Sequence, residues 1–127
     1  MTENEMIALV RAYFAGVDGE DLTAIHNTMT DDCIFCVETH SVELTTRADI
    51  DSMFHRLWEN HANVRHTDFS FVVDVERQRI AAQFKVVNTH QDGSLAHKSN
   101  CNFFDVRGDR FERIAVYMAG ENTLNKT

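Results

Sequence analysis

The chain has 127 residues, with 12 lysines and arginines against 20 aspartates and glutamates, for a formal net charge of −8. A chain of this length is expected to form a single domain, here residues 1–127, with a core and room for a pocket. The acidic balance opposes binding to nucleic acid or to an anionic membrane surface. No apolar run approaches the ~20 residues of a membrane span, and we expect no secretory leader.

The cysteines and histidines do not form a metal-binding pattern. Cys33 and Cys36 lie in a strand-like run, where side chains three apart point to opposite faces. A zinc site would need a second ligand pair at suitable spacing, and Cys101 with the scattered histidines offers none. We therefore expect small apolar strand cysteines in a reducing, cytoplasmic setting, with neither a metal nor a cofactor.

The first half of the chain carries three helical patterns. Residues 3–17 repeat apolar side chains at three-to-four spacing and begin with acids, which the helix dipole favours there. Residues 21–29 show a second, shorter pattern. Thr46 then begins a third helix, since Asp49 follows it in a capping-box arrangement. Its apolar stripe consists of Ile50, Met53, Phe54, Leu57 and Trp58.

Strand patterns fill the rest of the chain. Between the second and third helices we predict a break at 30–32, a strand over 33–38 and a loop over 39–45. Four later runs alternate apolar and polar side chains with a period of two, which is typical of half-buried strands. They span residues 64–75, 80–90, 95–106 and 111–119. Gly stands beside Asp in the last two links, as hairpin turns require.

This element order predicts an α+β fold. Four consecutive strands joined by short links form a mainly antiparallel sheet, whose apolar face must be covered. The three N-terminal helices are the elements available to cover it. We therefore expect a cone-shaped α+β roll, in which the helices pack on a strongly curved sheet and leave a conical space where a ligand can bind.

Five segments of the chain carry a family resemblance. They are Tyr13-Phe14-Ala15-Gly16-Val17-Asp18, residues 19–25, the pair Asp31-Asp32, Val64-Arg65-His66-Thr67 and residues 114–118. On these segments the chain resembles the nuclear-transport-factor-2-like superfamily and, within it, the SnoaL-like, ketosteroid-isomerase-like and scytalone-dehydratase-like proteins. The resemblance implies the same roll. It leaves the chemistry open, because the superfamily includes isomerases, cyclases, dehydratases, epoxide hydrolases and members with no known activity.

The resemblance points to Asp18, His66 and His90 as catalytic candidates. A histidine that acts as a base at neutral pH needs a carboxylate to hold its tautomer. By similarity to scytalone dehydratase, which eliminates water, Asp18 matches the aspartate and His66 and His90 match the two histidines. In hexachlorocyclohexane dehydrochlorinase, the residues matching Asp18 and His66 form the base dyad. The strand period places His90 on the inward face with its apolar neighbours.

Other observations leave a structural role open. His66 shares the parity of the polar side chains Asp68 and Ser70 on its strand, so it faces the cavity only if a β-bulge intervenes. Val37 stands where relatives carry a catalytic tyrosine or aspartate, and Val17 where the dehydratase carries a tyrosine. The Asp18–His66 pair is therefore either a base dyad or a structural hydrogen bond.

Similarity to ketosteroid isomerase suggests how a carbonyl group would be polarised. Tyr13 and Asn102 match the two oxyanion-hole residues of that enzyme, and Asn100 shares the face of Asn102. An asparagine amide donates hydrogen bonds without any change of protonation. The predicted substrate-binding residues are Asn100, Asn102, Val37, Phe54, Trp58, Phe84 and Met118.

Three functional hypotheses follow. The first is a dehydratase-like lyase or an isomerase that removes a proton next to the carbonyl of a mid-sized apolar substrate, with His66 as base, Asp18 as its orienting partner and His90 as a second proton carrier. The second is a non-catalytic module that binds a small apolar ligand or serves dimer assembly. The third is a polyketide-type cyclase. We expect a homodimer through the outer sheet face, since Cys101, Phe103 and Tyr117 are too apolar to remain in water.

Overall fold

The computed structural model describes residues 1–119. In chain order they form helix α1 (Glu3–Asp18), helix α2 (Leu22–His26), strand β1 (Met29–Val37), a 3₁₀ turn (Glu38–His40), strand β2 (Val42–Leu44), helix α3 (Arg47–Asn60) and strands β3 (Asn63–Asp74), β4 (Arg79–Thr89), β5 (Leu95–Arg107) and β6 (Arg110–Tyr117). The strands form one sheet in the order β2-β1-β6-β5-β4-β3. Only the β1–β6 pair is parallel. The predicted α+β roll is confirmed; residues 120–127 of the predicted domain lie outside the described residues.

Side-chain caps determine where the long helices begin. Thr2 accepts the backbone N–H of Glu5, and the Glu5 carboxylate accepts the backbone N–H of Thr2 in return. Thr46 accepts the backbone N–H of Asp49 at the start of α3. These bonds satisfy donors that a helix leaves unpaired at its first turn. The buried side of α1, which faces the sheet, consists of Met6, Val10, Tyr13, Phe14, Gly16 and Val17.

Helix α2 packs directly on the last turns of α1. A Cβ atom on Gly16 would lie 3.0 Å from Ile25 Cγ1, so glycine is what permits the two helices to approach this closely. The backbone N–H of Asp21 donates to the Gly16 carbonyl over 2.9 Å. This packing holds the end of α1, where Asp18 is its last residue.

The chain between α2 and α3 differs from its prediction. Residues 30–32, predicted as a break, lie inside β1, and part of the predicted loop at 39–45 forms β2. The acidic side chains in β1 are exposed, and Arg107 binds Asp32 at 2.5 Å, so they interrupt the apolar pattern without interrupting the strand. Strand β2 has three residues, too few to show a period.

A β-bulge divides β3. In the pairing with β4, Thr67 lies opposite Lys85 and Ser70 lies opposite Gln83, so two residues of β3 face one residue of β4. Asp68 takes a left-handed backbone conformation there, with φ of 58°. The extra residue changes the parity of the strand. As a result, His66 and Phe69 both contact Phe84, with ring centroids at 5.4 and 5.8 Å.

The core between the helices and the concave side of the sheet is rich in aromatic rings. Tyr13 makes edge contacts with several of them, including Phe104 at 5.6 Å and Phe54 at 6.4 Å. Val37 and Phe35 close the core on the β1 side and are fully or almost fully buried. Within residues 1–119, every helix is too short or too polar to cross a membrane.

Candidate active site

The two oxygens of the Asp18 carboxylate hold His66 by its ring and by its backbone. Oδ1 lies 2.5 Å from His66 Nδ1, and Oδ2 accepts the backbone N–H of His66 at 2.9 Å. The side chains of His66 and Asp18 are 10% and 26% exposed. A carboxylate at a helix C-terminus is disfavoured by the helix dipole, and these two bonds offset that cost. The pairing predicted from the sequence is therefore present as a contact.

The Asp18 contact determines which ring nitrogen of His66 is available to a ligand. A carboxylate can only accept, so Nδ1 is the nitrogen that carries hydrogen. In the neutral imidazole, Nε2 is then the proton acceptor. The ring packs between Phe14 and Phe84, at centroid distances of 4.7 and 5.4 Å, which leaves it little room to turn.

His66 lines a partly open cavity between the helices and the sheet. The cavity has a volume of about 60 Å³, enough for a few water molecules. Of the predicted site residues, seven line it: Tyr13, Phe54, His66, Phe84, Asn100, Asn102 and Met118. Asp18 lies behind His66 and does not line the cavity. Most of the remaining lining is aliphatic or aromatic, so the cavity suits an apolar molecule with few polar groups.

Tyr13 lines the cavity and carries a hydroxyl group. The side chain is buried, and burial, with smaller contributions from the nearby Cys33 and Asp18, raises the pKa of Tyr13 well above its ordinary value. The hydroxyl therefore keeps its proton at neutral pH. A protonated hydroxyl beside an apolar cavity is a hydrogen-bond donor for a carbonyl oxygen or an enolate.

Three asparagines place amide groups on the cavity wall. The Oδ1 atom of Asn100 accepts the backbone N–H of Ala119 at 3.0 Å. The Oδ1 atoms of Asn88 and Asn102 are buried and have no hydrogen-bond partner within residues 1–119. Buried amide oxygens are normally satisfied, so both are acceptors that the described residues leave without a donor.

Besides Asp18, three predicted site residues do not line the cavity. His90 follows the end of β4, where its backbone N–H donates to the Ser94 carbonyl in the hairpin turn, and its ring lies 5.7 Å from that of His61. Val37 is fully buried in the core. Trp58 stacks on Phe54 at 5.8 Å and donates from Nε1 to the Val17 carbonyl, so it supports the cavity wall from behind.

No cluster of three or more histidine, cysteine, aspartate or glutamate side chains within residues 1–119 is arranged to hold a metal ion. The three cysteines are free thiols. Burial raises the pKa of the Cys33 thiol to about 12, so this sulfur stays protonated and unreactive at neutral pH.

Residues 2–121 match the family pattern of the SnoaL-like domain. The chain belongs to the SnoaL-like family. A search of curated proteins finds no match to this SnoaL-like chain. Several solved structures have a fold similar to that of this chain.

The SnoaL-like chain is similar to a candidate polyketide cyclase from Xanthomonas campestris pv. campestris, with 20% identity, 90% of each chain covered and a TM-score of 0.82. A candidate polyketide cyclase from Pseudomonas putida KT2440 is 19% identical over 86% of this chain and 87% of its own, with a TM-score of 0.77. A protein of ketosteroid-isomerase-like fold from Catenulispora acidiphila DSM 44928, in complex with trimethylamine, is 14% identical over 86% of this chain and 83% of its own, with a TM-score of 0.76. At these identities the likeness establishes the fold alone.

Several residues that line the SnoaL-like cavity were not predicted as site residues. They are Phe14, Val17, Phe35, Met53, Leu57, Val64, Val86, Asn88, Lys98 and Val116. The strand period contained a signal for the two polar ones. Asn88 shares parity with Phe84 on β4, and Lys98 shares parity with Asn100 on β5, so alternation alone places both on the concave side.

Proposed function

We propose that this SnoaL-like protein is a cofactor-independent lyase or isomerase that removes a proton from the carbon next to a carbonyl group. One observation carries the proposal: Asp18 holds both the ring and the backbone of His66 at the wall of a partly open, mainly apolar cavity. A histidine base needs an orienting anion of this kind. The second contact, to the backbone, fixes the carboxylate itself.

The first step moves one proton and one electron pair. The C–H bond of the substrate breaks, its proton forms a bond to His66 Nε2, and its electron pair forms the enolate. Asp18 stabilises the imidazolium without taking the proton. The enolate oxygen receives hydrogen bonds from the Tyr13 hydroxyl and from the amide N–H groups of Asn102 or Asn100.

The enolate then has two outcomes. In a lyase, its electron pair expels a leaving group from the adjacent carbon, and the imidazolium gives its proton to that group. In an isomerase, the imidazolium returns the proton to a different carbon. Both outcomes restore neutral His66. The position of His90 in the hairpin turn gives it no direct part in either step.

The lining of the cavity favours a mainly apolar substrate. The volume of about 60 Å³ holds a few water molecules, so an organic substrate requires lining side chains to move. Met53 and Met118 line the same space, and unbranched methionine side chains adapt their shape to a larger ligand. The substrate class we propose is therefore a small to mid-sized carbonyl compound.

A polyketide-type cyclase is the second candidate function. Two of the similar structures are described as candidate polyketide cyclases, and this is the observation that favours it. The same enolate would attack a second carbonyl carbon of the same molecule, and the His66 imidazolium would protonate the new alkoxide. Base, orienting group and oxyanion donors keep the same roles, so only the substrate separates the two candidates.

We also propose that the protein works as a homodimer in a reducing, cytoplasmic setting. Val72, Ala81, Phe103 and Ala115 lie opposite one another across four strands on the convex side of the sheet. Val72 is 75% exposed, and so continuous an apolar row favours a protein contact. Light scattering at micromolar concentration should give twice the chain mass; the mass of one chain would contradict the dimer.

The proposed chemistry is tested by deuterium exchange. Native protein, His66→Gln and Asp18→Asn are each incubated with cyclohexanone in D₂O, and deuterium at the carbons next to the carbonyl is measured by NMR. Native protein should catalyse exchange, and His66→Gln should lose about 10²–10⁴-fold of the rate, the usual contribution of a general base. Exchange that survives His66→Gln would refute His66 as the base. Binding of the ketone without exchange by native protein would favour the non-catalytic binding module.

A further inference from the structure

Asn88 is an unsatisfied acceptor within the cavity. Its side chain is 3% exposed, and Oδ1 has no hydrogen-bond partner among the described residues. Asn100, on the same wall, differs because Ala119 satisfies its Oδ1. A buried acceptor without a donor is destabilising, so the fold alone does not explain why an amide stands at this position.

The register of the sheet places Asn88 close to the proposed base. Val64 lies opposite Asn88 and His66 lies opposite Val86. Asn88 is therefore the diagonal neighbour of His66 on the same face, at a separation of about 7–8 Å. Both side chains line the cavity. A ligand a few bonds long can reach His66 Nε2 and Asn88 Oδ1 at the same time.

The chemistry of the wall determines which donor suits Asn88. A carbonyl or ether oxygen brings no hydrogen, so it would leave Oδ1 unsatisfied. An ammonium group would lose its hydration in this mainly apolar cavity, which is costly for a charged group. A neutral hydroxyl donates one hydrogen bond at a small desolvation cost.

We infer that Asn88 determines specificity by accepting a hydrogen bond from a substrate hydroxyl group. The inference rests on the proposed function and narrows it: the substrate class becomes a hydroxylated carbonyl compound, with the hydroxyl two or three bonds from the carbon that loses its proton. Asn88 binds the substrate and takes no part in the proton transfer. Ketones that carry a methyl group in place of the hydroxyl are then poorer substrates.

The test compares two ketones of nearly equal shape. The kcat/KM for deuterium exchange is measured for 4-hydroxycyclohexanone and 4-methylcyclohexanone with native protein, Asn88→Leu, Asn88→Asp and Ser99→Ala. Leucine has the same number of side-chain heavy atoms as asparagine and no acceptor, whereas aspartate keeps an acceptor. Ser99 is the matched polar control, since it lies on β5 with its hydroxyl bound by Lys85 Nζ, away from the cavity lining.

Native protein and Ser99→Ala should prefer the hydroxyl ketone about tenfold, the effect of one hydrogen bond to a buried acceptor. Asn88→Leu should abolish that preference, measured as the ratio of the two kcat/KM values within each protein, and Asn88→Asp should keep it. The inference is overturned if native protein shows no preference or if Asn88→Leu retains it. Asn88→Ala supplies the same comparison if Asn88→Leu does not fold.

Binding separates this inference from the proposed function. The two Kd values are measured by NMR titration of the same proteins. If no ketone exchanges but the hydroxyl ketone binds about tenfold more tightly in an Asn88-dependent way, the base mechanism fails and the role of Asn88 stands. Equal Kd values, or no binding of either ketone at millimolar concentration, would remove Asn88 as a hydroxyl-binding residue.

Discussion

Replacement of Asp18 by asparagine changes one oxygen to an NH₂ group and removes one charge. The amide oxygen can still accept the backbone N–H of His66, now bound at 2.9 Å. The amide NH₂ then faces His66 Nδ1, which becomes the acceptor. The hydrogen of the neutral ring moves to Nε2, the nitrogen that the base mechanism needs unprotonated. Asp18→Asn should therefore preserve the contact and reverse the tautomer.

The two consequences of this change differ greatly in size. An Asp→Asn change behind a catalytic histidine lowers turnover by about 10⁴-fold in the well-studied serine protease triad, and we expect a similar loss of exchange rate here. A hydrogen bond to a charged group contributes about 1.5–3 kcal/mol. The carboxylate is 26% exposed, so solvent screening reduces the expected loss of unfolding free energy to about 1 kcal/mol. That corresponds to a Tm lower by about 4 °C.

The assay combines three measurements on Asp18→Asn: the exchange rate, the Tm and the ¹⁵N shifts of the His66 ring, which report its tautomer. Asp51→Asn is a matched control. Asp51 pairs with His26 at 2.7 Å with similar exposure, so it should lower the Tm comparably without slowing exchange. An unchanged His66 tautomer, or a rate within tenfold of native at full folding, would refute the reasoning.

Three further substitutions test other parts of the structure. Tyr13→Phe should slow exchange about 10–100-fold at nearly constant Tm, because it removes a buried donor to the enolate oxygen; an unchanged rate would reduce Tyr13 to a packing residue. Gly16→Ala should cost about 1–3 kcal/mol in urea unfolding, since its Cβ would lie 3.0 Å from Ile25 Cγ1. Asp68→Val should cost about 1–2 kcal/mol, because φ of 58° strains a β-branched residue. Native-like urea midpoints would contradict the last two.

Much of the fold could be predicted because its long elements repeat a strong period. Helices α1 and α3 and strands β4 and β5 each repeat one buried face over eleven or more residues, long enough for the repeat to be recognised. Strand β2 has three residues and carries no such repeat. The start of β1 was missed because its exposed acids resemble a turn, and they are held by arginines distant in sequence, such as Arg107 for Asp32.

The candidate site was predictable only in part, for two physical reasons. The alternation of side chains predicts which face a residue lies on only as long as the strand continues. Strand β4 ends at Thr89. Asn88 therefore lies inward as its parity indicates, whereas His90 enters the hairpin turn. His66 faces inward only because of a bulge at Asp68, which has a left-handed φ. An aspartate at such a site does not mark a bulge in the sequence. The resemblance to known enzymes, rather than the period, indicated that His66 faces Asp18.

The bulge also means that the inward-facing residues of β3 have different parity before and after Asp68. Upstream of Asp68 the even-numbered residues Val64 and His66 face inward, and downstream the odd-numbered Phe69 and Phe71 do so. Deletion of one residue here would leave either the base or the aromatic cluster on the wrong side of the sheet. A relative that lacks the bulge must therefore be aligned with a one-residue gap at this point. Without the gap, its inward histidine would be matched to Arg65 or Thr67, and the dyad would go unnoticed.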